Sequence, residues 1–289
     1  MNVMRASQAG FCMGVALALK KLDQAIANKP LGKVRTMGSI IHNPQVLEEY
    51  AKQGVKKIDD PNEAEAETTV LIRAHGIPRQ AEATLLQKRI TLIDATCPRV
   101  KKAQLAIAEA TITGASLLLF GEEYHPEVRG LISYANGKTL IFADQAELQR
   151  MLPVFFPSAG SDGQPYVLAA QTTQGRAAFE SICAELSARL GARLTVLDTI
   201  CDATRQRQEE MIRLAAQVEI MVVVGGKESG NTKRLAEIAA MHGTPTLQVE
   251  TAEEIKPEFF RSFSCAGLTA GASTPKSIID EVEQCLHAL

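Results

Sequence analysis

The chain has six cysteines but no C-x-x-C pair, no apolar run near the ~20 residues a bilayer span needs, no basic run and no Gly-, Ser- or Pro-rich linker. Each absence removes a class of function. Without paired cysteines a zinc ribbon has no ligands, and a disulfide framework is not expected in a chain of 289 residues. Any cysteines that bind a group must therefore converge from distant segments. Lys and Arg number 31 against 33 Asp and Glu, and they are scattered, so there is no footprint for nucleic acid. An anionic ligand then has to be held by local groups, because no global positive field exists to attract it. The stretch "FCMGVALALKK" at 11–21 is too short for a membrane span and is closed by two lysines. It is also followed by no small-residue cleavage site, so it reads as part of the fold and the protein is expected in the cytoplasm. "GGKESGNTK" at 225–233 fails the Walker pattern, and no flavin or nicotinamide motif is present.

What is present is an alternation. Short apolar runs end in small polar residues at 68–76, 90–97, 116–125, 166–173, 194–201, 219–231 and 265–274. Near-continuous apolar strands are what a parallel sheet covered on both faces requires. Between them lie helical patterns: "NEAEAE", "AQLAIAEAT", "GRAAFESICAELSARLG", "RQRQEEMIRLAAQV", "TKRLAEIAAMHG" and "PKSIIDEVEQCLHAL". The expected class is α/β with mainly parallel sheets. Cys12, Cys97 and Cys201 divide the chain at roughly regular intervals, which suggests three similar lobes at 13–97, 98–200 and 201–289, with residues 1–12 adding an N-terminal strand to the last. "FFPSAGSDGQPY" at 155–166 reads as a surface connection.

In open α/β sheets, ligands sit beyond the carboxyl ends of the strands. His75, Cys97, His125, Thr172, Cys201, Ser229, Asn231 and Ser273 each fall just past an apolar run. Two cysteines stand in matching frames, "IDATCPRV" and "LDTICDAT", with Asp94 and Asp198 three residues ahead. Both aspartates are expected to accept backbone N–H bonds beside the cysteine. Cys12 in "AGFCMGV" is flanked by Gly10 and Gly14, which permit close approach of a bulky group. Any one of the three could be a small buried hydrophobe, but together they make a candidate metal or cluster site. Cys183, Cys265 and Cys285 read as packing residues.

His42, His75 and His125 occupy turns next to Asn, Gly and Pro, and with Ser229, Asn231 and Ser273 they form a donor set suited to a phosphorylated ligand. Ser229 and Ser273 also have helical patterns behind them. Glu127, two residues after His125, is either an ordinary surface residue or a proton donor.

The motifs "GFCMGV", "IIHNPQV", "AHGIP", "DATCPRV", "HPEV", "QTT", "DTICDAT", "SGN" and "GLTAGAST" together resemble the 4-hydroxy-3-methylbut-2-enyl diphosphate reductase (LytB) family, in the family's order and over nearly the whole chain. The resemblance implies a trefoil of three lobes around one 4Fe–4S cluster, ligated by Cys12, Cys97 and Cys201 with the fourth iron open. It implies reductive removal of an allylic hydroxyl, the last step of the non-mevalonate isoprenoid route, with ferredoxin or flavodoxin as electron donor. His42, His75, His125, Ser229, Asn231 and Ser273 would hold the diphosphate. Glu127, with Thr172 and His125, would serve the hydroxyl, Glu127 as general acid. Three positions depart from the pattern: Gly230 replaces a second serine and leaves only its backbone N–H, Asp202 follows the third cysteine, and Leu17 stands where an arginine often does. Two alternatives are a quinolinate-synthase-like dehydratase, which needs carboxylate-binding residues, and a non-catalytic cluster protein that binds prenyl phosphates or senses redox state.

Overall fold

A computed structural model describes residues 1–28, 32–155 and 163–289. Most of the expected connection at 155–166 lies outside the described residues. In chain order the strands are β1 (Asn2–Arg5), β2 (Val34–Met37), β3 (Lys56–Ile58), β4 (Thr69–Ile72), β5 (Thr91–Asp94) and β6 (Ser116–Phe120). Then come β7 (Thr139–Phe142), β8 (Tyr166–Ala170), β9 (Leu194–Val196), β10 (Ile220–Val224), β11 (Thr246–Val249) and β12 (Cys265–Ala270). The helices are α1 (Met13–Ala27), α2 (Pro44–Lys52), α3 (Arg79–Leu86), α4 (Pro98–Ala110), α5 (Pro126–Ile132) and α6 (Gln145–Phe155). They continue with α7 (Arg176–Leu190), α8 (Asp202–Ala215), α9 (Gly230–Met241), α10 (Pro257–Phe260) and α11 (Lys276–His287).

The strands form three four-stranded sheets, and every pairing in them is parallel. The first sheet is ordered β3-β2-β4-β5, the second β7-β6-β8-β9, and the third, taken from its far edge, β11-β10-β12-β1. These are one topology used three times. The chain enters an inner strand, adds the neighbouring edge strand, crosses to the other inner strand and finishes on the opposite edge. In the third sheet that final place is taken by β1, from the start of the chain. The chain divides into two compact units. One comprises Met1–Leu19, Ile41–Gln53 and Asp202–Leu289 and holds the third sheet; the other comprises Lys20–Ile40 and Gly54–Cys201 and holds the first and second.

Period-two alternation assigns the two faces of each sheet. In the third sheet Ile220, Val222, Val224, Ala266 and Leu268 turn toward Ile279, Val282 and Leu286 of α11. Met221 and Val223 turn the other way, toward Met211 and Leu214 of α8 and Leu235 of α9. The second sheet does the same: Leu118, Phe120 and Leu168 pack with Phe179, Ile182 and Leu186 of α7, and Leu117, Leu119 and Val167 with Ile107 of α4 and Val128 of α5. A first-sheet core gathers Met37, Val70, Ile72 and Leu85. Strands buried on both faces are the reason their sequences read as unbroken apolar runs.

All seven expected runs contain a strand. "NEAEAE" is a correction: only a 3-10 turn forms, Pro61–Glu63, stopped by extended backbone at Ala64. Asp60 and Glu63 close a capping box around that turn, which satisfies its ends without a helix to follow, and Glu67 sits at φ 62°, outside helical space. Among the described residues no helix is long and apolar enough to cross a membrane.

Candidate active site

The repeated topology places the candidate residues by rule. Past the two inner strands of each sheet come the polar residues: His42 after β2 and His75 after β4, His125 and Glu127 after β6 and Thr172 after β8, Ser229 and Asn231 after β10 and Ser273 after β12. The gap between inner strands is where the strand order reverses, the usual ligand crevice of a doubly wound sheet. Past each final edge strand comes a cysteine: Cys97 after β5, Cys201 after β9 and Cys12 after β1. All three are half-buried thiols, not members of disulfides. Their backbone N–H groups share one habit, each donating to a carbonyl in the loop after the adjacent inner strand. Cys97 N bonds Ala74 O at 2.9 Å, Cys201 N bonds Thr172 O at 3.0 Å, and Cys12 N bonds Ala272 O at 3.1 Å.

In the unit built on the first two sheets, these contacts join six candidates into one path. Cys97 is the N-cap residue of α4, with Pro98 at the first helical position. Its bond to Ala74 fixes it beside His75. The turn there needs Gly76 at φ +72°, where a Cβ would come within 2.7 Å of Gln104 Nε2. The rings of His75 and His125 meet edge to face, 5.4 Å between centroids. His125 caps α5, its Nδ1 accepting the Glu127 N–H at 3.1 Å. A neutral ring with Nδ1 as acceptor carries its proton on Nε2.

Glu127 lies in the first turn of α5 and is 2% exposed, so the reading as a surface residue is excluded. Its Oε1 accepts the Thr172 N–H at 2.6 Å and its Oε2 the Thr172 hydroxyl at 3.1 Å. Burial pushes the Glu127 carboxyl above its ordinary value, and the two bonds from Thr172, which favour the ionised form, do not offset it. Thr172 completes the path, since its carbonyl takes the Cys201 N–H.

The other unit holds Cys12, His42, Ser229, Gly230, Asn231 and Ser273. Ser273 follows Ala272, the acceptor for Cys12, and its Oγ donates to His42 O at 3.0 Å. A Cβ on Gly226 would stand 3.0 Å from that same carbonyl, and Gly226 O accepts the Ser229 N–H at 2.9 Å. The three loops are thus drawn together around the His42 carbonyl. Ser229 is the N-cap of α9, its Oγ accepting the Thr232 N–H at 3.4 Å, which leaves its own hydroxyl proton to point elsewhere. Asn231 is 7% exposed and its Nδ2 has no partner among the described residues. A buried, unbonded amide is a cost unless a ligand satisfies it.

Asp94 behaves as expected, accepting the Thr96 N–H at 2.8 Å, whereas Asp198 pairs with Arg176 Nη1 at 2.6 Å instead of with backbone. Two residues that hold the site in place have no role assigned to them by the sequence reading. Arg207 of α8, 4% exposed, donates from Nη2 to Gly10 O at 2.6 Å and so holds the loop before Cys12, at the point where Gly10 takes φ +105°. Gln171 stands in the quoted "QTT" motif, and its burial to 1% exposure is visible only in the fold.

The LytB protein family model matches residues 3–287. The chain belongs to the LytB family. Two reductases are similar to this family member from end to end, each named 4-hydroxy-3-methylbut-2-enyl diphosphate reductase. That of Desulfovibrio desulfuricans is 54% identical over 294 residues and that of Oleidesulfovibrio alaskensis 52% over 289, with 100% of both chains covered in each case. Among solved structures, one of (E)-4-hydroxy-3-methyl-but-2-enyl diphosphate reductase, the terminal enzyme of the non-mevalonate pathway, is 37% identical with a TM-score of 0.68, covering 100% of this chain and 99% of that one. The Plasmodium falciparum E-1-hydroxy-2-methyl-but-2-enyl-4-diphosphate reductase, 23% identical, shares the fold with a TM-score of 0.89, over 100% of this chain and 87% of its own.

Proposed function

We propose that this LytB protein reduces 4-hydroxy-3-methylbut-2-enyl diphosphate to isopentenyl and dimethylallyl diphosphate in the cytoplasm, using a 4Fe–4S cluster held by Cys12, Cys97 and Cys201. The observation that carries the reading is Glu127: a carboxyl buried at the end of an inner strand, pushed above its ordinary pKa by that burial and gripped by Thr172. The donor set suits the cluster, being three thiols outside any disulfide, on loops anchored through their own N–H groups. When bound, the cluster supplies an iron with an open position as Lewis acid and passes on single electrons from ferredoxin or flavodoxin.

The reaction consumes two electrons and two protons; the C–O bond breaks, a C–H bond forms, and the hydroxyl leaves as water. Hydroxide is a poor leaving group, so the departing oxygen has to receive a proton as the bond breaks. Glu127 holds that proton at a carboxylate oxygen. In the structure the Thr172 hydroxyl donates to Oε2; once that hydroxyl turns toward the substrate, Thr172 Oγ can accept the Glu127 proton and pass it on without reorganising the backbone. His125 Nε2–H and His75 orient the substrate. His42, Ser229, Asn231 and Ser273 supply donors to the diphosphate, with the Gly230 N–H in place of a missing hydroxyl. Ser273 bonds His42 O in the structure, so binding requires its hydroxyl to rotate. Neither the dicarboxylate nor the non-catalytic alternative is supported by the names of the full-length relatives.

Anaerobic purification tests the reading: a brown protein with about one cluster per chain, which converts the substrate with dithionite and a viologen mediator, is expected. A protein that stays colourless after anaerobic iron–sulfur reconstitution overturns it.

A further inference from the structure

The grip of Thr172 on Glu127 depends on how α5 is set against the end of β8, and α5 spans only seven residues. It is entered through the turn from Gly121 to His125. Two tethers bind that turn to the second sheet. Gly121 N donates to Phe142 O at 2.9 Å, and Glu122 N donates to Gln171 Oε1 at 3.1 Å. The second tether is a side chain, and it belongs to the residue immediately before Thr172.

Gln171 is itself fixed on every side. Its Nε2 donates to Thr173 Oγ1 at 3.1 Å, its backbone N–H to Phe120 O at 2.8 Å, and its carbonyl accepts the Gln174 N–H at 3.0 Å. Nor is there slack above it: a Cβ on Gly121 would meet Val128 Cγ2 at 2.8 Å, Gln171 Cβ at 3.0 Å and Gln171 Oε1 at 3.2 Å. The turn therefore rests directly on both α5 and the Gln171 side chain.

We propose that Gln171 is a positioning residue: by anchoring Glu122 to the end of β8, its carboxamide sets the offset between α5 and Thr172 and so keeps the Glu127 carboxyl group on the Thr172 N–H and hydroxyl. The geometry has little margin. O–H···O bonds span about 2.5–3.0 Å, so the 3.1 Å bond from Thr172 Oγ is already at the long limit and is the first to go when α5 moves by a few tenths of an ångström. Gln171 is thus the part of the "QTT" motif that aims the proton, while Thr172 receives it. The proposal rests on the reading of Glu127 as the proton donor.

The test has two arms. In cluster-free protein held at acidic pH, where the carboxyl is protonated, the infrared band of Glu127 is identified by its loss in Glu127→Gln. In Gln171→Leu that band is expected to shift toward the position of an unbonded carboxyl, with the circular dichroism unchanged. In the cluster-loaded enzyme, kcat is expected to fall about ten- to a hundredfold while KM stays within about twofold, as for a misplaced catalytic group. Should Gln171→Leu not fold, Thr173→Val loosens only the Nε2 end of the same carboxamide and should give a smaller shift in the same direction. An unmoved Glu127 band in the variant that folds overturns the proposal. A wild-type enzyme that fails to turn over the diphosphate overturns the functional reading instead, and the infrared arm still decides the role of Gln171.

Discussion

Glu127 joins chemistry to stability at a single residue. Its native pKa lies above the ordinary 4.5 because burial disfavours the charge. As pH rises past 4.5 the unfolded chain loses this proton while the folded chain keeps it, so the folded state binds more protons and stability falls with pH up to the native pKa. Below 4.5 the contribution is fully present. Glu127→Gln removes this slope, and melting temperatures across that window should show the variant gaining on wild type as pH rises. Activity should move the other way. Loss of a general acid costs about 10²–10⁴-fold in turnover, with cluster absorbance retained. The cysteines divide just as sharply: Cys12→Ser, Cys97→Ser or Cys201→Ser should each bleach the reconstituted protein, whereas Cys183→Ser, Cys265→Ser and Cys285→Ser should leave its spectrum intact. The sequence alone isolates the first three, since each stands in a loop after a strand. It could not separate a buried Glu127 from a surface one, because burial there is decided by Val128 and Gly130 on the same helix packing against distant strands and loops.

Among the elements, β4, β6, β8, β10 and β12 were legible because these inner strands are covered on both faces, whereas the half-exposed edge strands β5 and β9 were legible only from their apolar residues. β3 and β11, "KKI" and "TLQV", were not: they are edge strands of their sheets, short and half-polar, and carry no such run. Partner identity was less legible still. Asp94 and Asp198 occupy the same frame, yet one folds back on its own loop and the other reaches Arg176 at the start of α7. α5 offers a test of how much a cap matters. His125→Phe removes the acceptor for the Glu127 N–H and should cost about 0.5–2 kcal/mol by urea denaturation, while His125→Asn, a good cap, should recover most of that stability without recovering activity. Gly76→Ala forces a side chain into φ +72° and against Gln104, and a loss of about 1–3 kcal/mol is expected, with the His75 turn displaced.

At the scale of the whole molecule, three sheets repeat one strand order, and only the third borrows its final strand from elsewhere in the chain. β1 pairs along its full length with β12, and Arg5 bonds Asp280 and Glu283 of α11 at 2.6 and 2.8 Å. The Met1 amino group lies 3.4 Å from both Leu286 O and His287 O. Met1 and the end of α11 thus meet beside the third sheet. Taken in cyclic order, the sequence makes three arcs of comparable length, each running from an inner strand to a cysteine. A circular permutant that joins Leu289 to Met1 through a short flexible linker and opens at the exposed Gly114, before β6, should fold with an unchanged melting profile and take up the same cluster. In that molecule every cysteine would close the arc that began with its own inner strand.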